Sequence, residues 1–170
     1  MDQFNLAKKR CKNHRLQILE LSQKVQALHI GGSFSSVEIV DCIYNMLKKK
    51  NDKFILSKGH AGIIQYVVLN QIGILSKRKL HSYCQKDGYL GVHPDYGKAG
   101  IVASTGSLGH GLGIASGIAL ANRGKNNYFI VMSDGELQEG SVWEAALIIG
   151  ALRLNNIVVV IDNNDLQSST

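Results

Sequence analysis

With 170 residues, 45% of them hydrophobic and 19% charged, the chain is long enough for one domain with a sizeable core and has the composition of a soluble globular protein. A net charge of +6 with only 6% aromatic residues is too weak a tilt for a nucleic-acid binder, and no apolar run reaches the length of a membrane span. Cys11, Cys42 and Cys84 are odd in number and lack metal-ligand spacing, and residues 1–5 hold no apolar signal core, which points to a reducing compartment, the cytoplasm. Most of the positive charge sits in two clusters, Lys8, Lys9, Arg10, Lys12 and Arg15, then Lys48, Lys49, Lys50 and Lys53. They read as solvated helix faces and a loop, and they would also suit a phosphorylated ligand.

Residues 3–28 are expected to form the first helix, with Leu6, Leu16, Leu19 and Val25 as its apolar face and Gly31-Gly32-Ser33 as its stop. Ser35 or Ser36 is placed to cap a second helix with Glu38 in its first turn, carrying Ile39, Val40, Ile43, Met46 and Leu47. A turn at Asn51-Asp52 leads into a short strand, Phe54-Ile55-Leu56, followed directly by Ser57-Lys58-Gly59-His60 and a helix over 61–72. A short helix over 76–84 precedes an irregular stretch, 85–107, that holds the single proline, Pro94. So long a loop in a compact domain usually has a function. A helix over 108–121 contains Gly109, Gly111, Gly113 and Gly117. Each glycine costs such a helix about 1 kcal/mol relative to alanine, so the four imply tight packing against a ligand or another backbone.

The second half is a strand, Tyr128-Phe129-Ile130-Val131-Met132, a helix over 141–154, and a strand, Ile157-Val158-Val159-Val160-Ile161. This is a βαβ unit with parallel strands, so its two strands share a carboxyl edge, where open α/β sheets bind their ligands. Asp134-Gly135-Glu136 and Asn163-Asn164 should therefore emerge side by side. The fold class is α/β, a mainly parallel sheet flanked by helices in one domain over 1–170. Three strands make a thin sheet, so the domain is expected to be incomplete at its C-terminus or completed by a partner chain.

A magnesium ion prefers about six hard oxygens. Asp134, Asn164 and the main-chain carbonyl of Leu166 can supply the protein's share beside a diphosphate, and Gly135 can bring its amide to a phosphate. Either pair of residues alone would be an ordinary turn after a strand; their coincidence at βαβ spacing makes the case. His29, His60 and His93 lie in loops flanked by glycine or proline, where imidazole can meet a ligand and move protons near neutral pH. His14 and His81 read as surface residues and His110 as a packing residue. The loop from Thr105 to Gly113 has neither the third glycine of a dinucleotide fingerprint nor the Gly-Lys-Ser/Thr of a phosphate loop. Its exposed amides and carbonyls could hold a flat heterocycle.

Taken together, His29-Ile30-Gly31-Gly32-Ser33, Leu56-Ser57-Lys58-Gly59-His60-Ala61, Gly91-Val92-His93-Pro94-Asp95, Ser104-Thr105-Gly106-Ser107-Leu108-Gly109 and Asp134-Gly135-Glu136-Leu137-Gln138-Glu139-Gly140 with Asn164 resemble the diphosphate-binding half of transketolase. The resemblance implies a thiamine-diphosphate-binding fold, with thiamine diphosphate and Mg²⁺ (or Ca²⁺ or Mn²⁺) as cofactors. Carried over, Asp134, Asn164 and the Leu166 carbonyl are the metal ligands, and His60 and Gly135 contact the diphosphate. Gly106 and Leu108 then adjoin the aminopyrimidine, His29 and His93 meet sugar hydroxyls and move protons, and Glu139 belongs to a carboxylate network between two active sites of a dimer.

Two departures stand out. Ser133 occupies the first place of the family's Gly-Asp-Gly, with a modest expected effect on metal binding. The pyrimidine-binding domain, which carries the Glu that activates the thiamine ring and the main sugar-phosphate contacts, is absent, as is a further His of the diphosphate half. The resemblance thus implies the small N-terminal subunit of a split transketolase, transferring a two-carbon ketol unit from a ketose phosphate to an aldose acceptor only with a C-terminal subunit that carries the pyrimidine domain, in a dimer of such pairs. Two other readings remain open. One is a subunit of another thiamine diphosphate enzyme, against which the run Glu136-Leu137-Gln138-Glu139-Gly140 argues. The other is a truncated, non-catalytic fragment that binds cofactor weakly or only pairs with a partner.

Overall fold

The apolar, β-branched runs become the strands of a single parallel sheet in the computed structural model, which describes residues 2–25 and 29–166. Strands β1 (Lys53–Leu56), β2 (Tyr128–Ser133) and β3 (Ile157–Asp162) lie in the order β1-β2-β3. Phe54 pairs with Phe129, Val131 with Val160, and Ser133 with Asp162. The pleat divides the side chains between two cores. Phe54, Leu56, Phe129 and Val131 face a cluster built with Ile18, Val40, Ile64 and Val68. Ile55, Tyr128, Ile130 and Met132 face another built with Leu112, Ala115, Ala119, Val142 and Ala145. Helices α1 (Gln3–Ser22), α3 (Val37–Cys42) and α4 (Gly62–Gln71) thus cover one face, and α6 (His110–Ala121) and α7 (Gly140–Ala151) the other. Short helices α2 (Ile30–Ser35) and α5 (Lys77–Leu80) complete the set. The α/β expectation with a parallel sheet between helices holds. Central strand β2 is buried throughout, whereas Val158, Val159 and Ile161 of β3 keep 40–43% exposure.

Helix α1 corrects the expected apolar face. Its buried residues are Cys11, His14, Ile18 and Leu21, at alternating three- and four-residue spacing, while Leu6, Leu16 and Leu19 are exposed. The buried stripe contains a histidine because His14, expected on the surface, meets the buried carboxylate of Asp41 at 3.0 Å, beside a two-pronged Arg10–Asp41 contact. An apolar count cannot find a face held partly by polar pairing. The helix closes at Ser22, and residues 26–28 of the expected span lie outside the described residues. Gly31-Gly32-Ser33 does not stop a helix but lies within α2. Ser36 precedes α3 without capping it; its hydroxyl donates back to the Gly32 carbonyl at 2.6 Å, a local bond that competes with the cap.

From Leu80 to His110 the chain has no further strand or α-helix. This loop is nevertheless pinned: the Tyr66 hydroxyl donates to the His93 carbonyl at 2.7 Å, Thr105 N–H to the Pro94 carbonyl at 3.1 Å, and the Thr105 hydroxyl to the Leu56 carbonyl at 2.7 Å. Of the four glycines in and before α6, two are closely packed. A methyl group on Gly111 would come within 2.3 Å of the Ser57 hydroxyl, and one on Gly109 within 2.6 Å of Glu139. Gly113 and Gly117 face open space, so close packing explains only half of the glycine pattern. Among the described residues no helix is long and apolar enough to cross a membrane.

Candidate functional site

Three parallel strands deliver three polar loops to one sheet edge: Ser57-Lys58-Gly59-His60 after β1, Asp134-Gly135-Glu136 after β2, and Asn163-Asn164 after β3. Backbone and side-chain bonds tie the last two together. Asp134 N–H donates to the Asp162 carbonyl at 3.3 Å, and one Asp134 carboxylate oxygen accepts from Asp165 N–H at 3.1 Å. The other accepts from Gly135 N–H at 3.0 Å. The Asn164 amide oxygen accepts from Leu166 N–H at 3.0 Å, a local turn around Asp165, the residue whose N–H reaches Asp134.

The histidines converge on the same edge. The rings of His29 and His60 meet edge to face, 5.4 Å between centroids. His93 packs against Gly106, whose φ of +146° and lack of a side chain are both required: a methyl group there would lie 2.8 Å from the His93 ring. Gly59 in turn approaches the Gly106 amide so closely that its own methyl would sit 2.6 Å away. The β1 loop and the long loop therefore touch backbone to backbone, and His60, Gly106 and His93 line one cradle. Leu108 is partly exposed beyond it. Glu139, an exposed residue, lays its Cβ and Cγ over Gly109. His110, expected to pack among the glycines, is instead exposed at the start of α6, its Nδ1 3.1 Å from the Leu108 carbonyl.

Sequence reasoning missed the groups beneath this surface. Lys58 is fully buried and ion-paired with Asp162, which also accepts the Ser35 hydroxyl at 2.6 Å. Burial alone would raise the Asp162 pKa, but the bonds from Lys58 and Ser35 outweigh it and hold it below the usual carboxylate range. Glu136 is fully buried as well. One signal was available: an aspartate closing a strand as apolar as β3 is anomalous and needs a partner.

Burial, then the Lys58 ammonium, then His29 and His93, push the His60 pKa down to about 4. His60 is therefore neutral near pH 7, able to donate one ring proton and accept another. Between pH 6.5 and 4 the unfolded chain binds a proton at this position that the folded chain refuses. Its contribution to stability is complete above pH 6.5 and is lost as pH falls towards 4. Urea unfolding at several pH values across this window should show a shallower fall in stability for His60→Asn than for the wild type. Equal slopes would remove His60 as the cause.

Among the described residues no three His, Cys, Asp or Glu side chains gather as a metal centre. What the edge offers is the Asp134 carboxylate, with the exposed Asp165 and the amide and main-chain oxygens of the same loops near it, a hard-oxygen set suited to Mg²⁺ shared with phosphates.

The profile described as transketolase, thiamine diphosphate binding domain, matches residues 7–169. The chain belongs to the transketolase family. It is 34% identical over 170 aligned positions to one subunit of the apulose-4-phosphate transketolase of Phocaeicola vulgatus, covering 93% of this chain and 60% of that protein. It is 41% identical to the transketolase of Homo sapiens over 123 positions, 70% of this chain and 20% of the human protein. The transketolase of Campylobacter jejuni superposes with a TM-score of 0.89 at 26% identity, over 98% of this chain and 29% of that one. The sheet and its helices are thus the thiamine diphosphate-binding fold of transketolases, and the chain spans 60% of the length of the first of these relatives.

Proposed function

We propose that this chain is the N-terminal, cofactor-binding subunit of a split, cytoplasmic transketolase. The observation that carries the reading is the junction of the Asp134 and Asn164 loops at the sheet's carboxyl edge, with His29, His60 and His93 converging beside it. The Phocaeicola relative is named as a subunit rather than a whole enzyme, which supports a partner chain.

Thiamine diphosphate, when bound, supplies the electron sink that transfer of a two-carbon ketol unit requires. The chain's own residues hold and orient it. Asp134, Asn164 and the Leu166 carbonyl take the Mg²⁺ (or Ca²⁺ or Mn²⁺) on its diphosphate. Neutral His60 would donate to a phosphate oxygen, and the Gly135 amide, bonded to Asp134 in the free chain, would turn to another once the Asp134 carboxylate takes the metal. The bare Gly59 and Gly106 let the β1 loop and the long loop close against each other as the wall of the site. Gly106 and Leu108 border the aminopyrimidine. Exposed His29 and His93 hydrogen-bond the hydroxyls of the sugar phosphate and carry protons to and from them. Glu139, exposed at the start of α7, reaches towards a partner. Holding the cofactor through groups remote from the reacting carbon fixes its position and lowers the entropic part of the barrier.

The partner is a C-terminal subunit carrying the pyrimidine domain, in a dimer of such pairs. The chain alone should therefore show no ketol transfer, and adding that subunit, Mg²⁺ and thiamine diphosphate should restore it in a coupled assay with a ketose phosphate donor and an aldose acceptor. Persistent inactivity with such subunits, or turnover by the chain alone, would overturn the proposal.

A further inference from the structure

Glu136 sits at the meeting point of three segments and is fully buried. One carboxylate oxygen accepts from the Ser57 hydroxyl and from Gly109 N–H at 3.0 Å. The other accepts from Ser133 N–H at 2.9 Å, with the Ser133 hydroxyl 3.4 Å away. Ser57 directly follows β1 and begins the run to His60, Ser133 ends β2 and precedes Asp134, and Gly109 closes the Gly106–Leu108 turn in a left-handed conformation, φ +79°. A carboxylate is an acceptor only, with two oxygens, and here four donors from three loops meet it.

We infer that Glu136 is the positioning residue of this edge: its buried carboxylate clamps the Gly109 turn and the Ser133-Asp134 junction against Ser57, so that the cofactor cradle is formed before the cofactor arrives. The inference rests on the reading that this edge binds thiamine diphosphate. It also accounts for the departure at Ser133. The extra hydroxyl points to the same carboxylate, so a serine in place of glycine adds a weak contact and leaves Asp134 in place.

The donor pattern makes glutamine a sharp test. An amide side chain has one acceptor oxygen and one donor nitrogen. Turned one way, its NH₂ can donate to the Ser57 hydroxyl but faces the Gly109 N–H; turned the other way, it can donate to the Ser133 hydroxyl but faces the Ser133 N–H. Either way one backbone amide is orphaned and one side of the clamp opens.

The experiment compares wild type, Glu136→Gln and Ser57→Ala. Amide spectra of the ¹⁵N-labelled chain report on Gly109 and Ser133. Assays of the complex with its pyrimidine-domain subunit, at varied thiamine diphosphate and saturating Mg²⁺, report KM and kcat. For Glu136→Gln, one of the two amides should move upfield, the KM for thiamine diphosphate should rise about tenfold, and kcat at saturating cofactor should stay within about twofold. Ser57→Ala, which removes one donor and leaves the carboxylate, should raise KM by about two- to threefold and decides the matter if the glutamine variant does not fold. A merely structural role would lower the active fraction, and so kcat, at constant KM; that result, or unmoved amides, overturns the inference alone. A wild-type complex that does not respond to thiamine diphosphate overturns the functional reading and the inference with it.

Discussion

Asp134→Ala should remove metal-dependent binding of thiamine diphosphate, lowering affinity by about a hundredfold or more at saturating Mg²⁺, since a hard cation loses its charged ligand. The two carboxylates buried beside it cannot take its place. Asp162 is committed to Lys58 and Ser35, and Glu136 to Ser57, Gly109 and Ser133. The substitution also frees Gly135 N–H, and frees Asp165 N–H, whose bond to Asp134 ties the β3 loop to the β2 loop. Asp134→Asn separates the two effects: it keeps an acceptor for one of these amides while removing the charge, so it should retain more stability than alanine yet bind metal poorly. Calorimetric titration with and without Mg²⁺, with circular dichroism as a check on folding, measures both. An alanine variant that keeps its Mg²⁺-dependent affinity would refute the ligand assignment.

Lys58→Ala should be the most damaging substitution for stability, at about 3–5 kcal/mol, because it leaves the Asp162 carboxylate buried without its counter-charge. The ammonium group is wholly enclosed, and its partner closes β3 two residues before Asn164. The pair therefore braces the β1 loop against the β3 loop from below, and the loss should reach cofactor binding as well as folding. Exchanging both partners for apolar residues of similar size should cost much less than Lys58→Ala alone, since it removes the unpaired charge along with the pair. Urea denaturation of the single and double variants measures the difference. A single variant within about 1 kcal/mol of the wild type would show that the pair does not hold the loops.

Much of this site is legible in the order of residues alone, and the reason is topological. Two apolar runs joined by a helix fix a parallel pair, and a parallel pair fixes which ends share an edge, so spacing alone places Asp134 and Asn164 together. Histidines in stretches flanked by glycine or proline belong in loops, and His29, His60 and His93 do converge at this edge. What is not legible depends on partners distant in sequence. Lysine is ordinarily a solvent residue, and nothing near Lys58 says otherwise; its burial is set by Asp162, 104 positions away. His14 reads as a surface residue for the same reason, since Asp41 lies on another helix. Local chemistry misleads in the opposite direction at Ser36, a good cap by type that bonds backwards instead. At α6 the glycine count carries no information about which positions are crowded, because that depends on Ser57 and Glu139 arriving from other segments.

Strand β3 has a practical consequence. Its outer side is unpaired among the described residues, and half-exposed valines and an isoleucine stand on it with no lysine or proline to discourage a neighbour. Such a margin is a template for stray strands from other molecules. Isolated samples of the chain will tend to stick to one another along this border, so a failure to restore activity on mixing with a partner subunit has to be separated from aggregation, by checking that the chain stays dispersed before it is assayed.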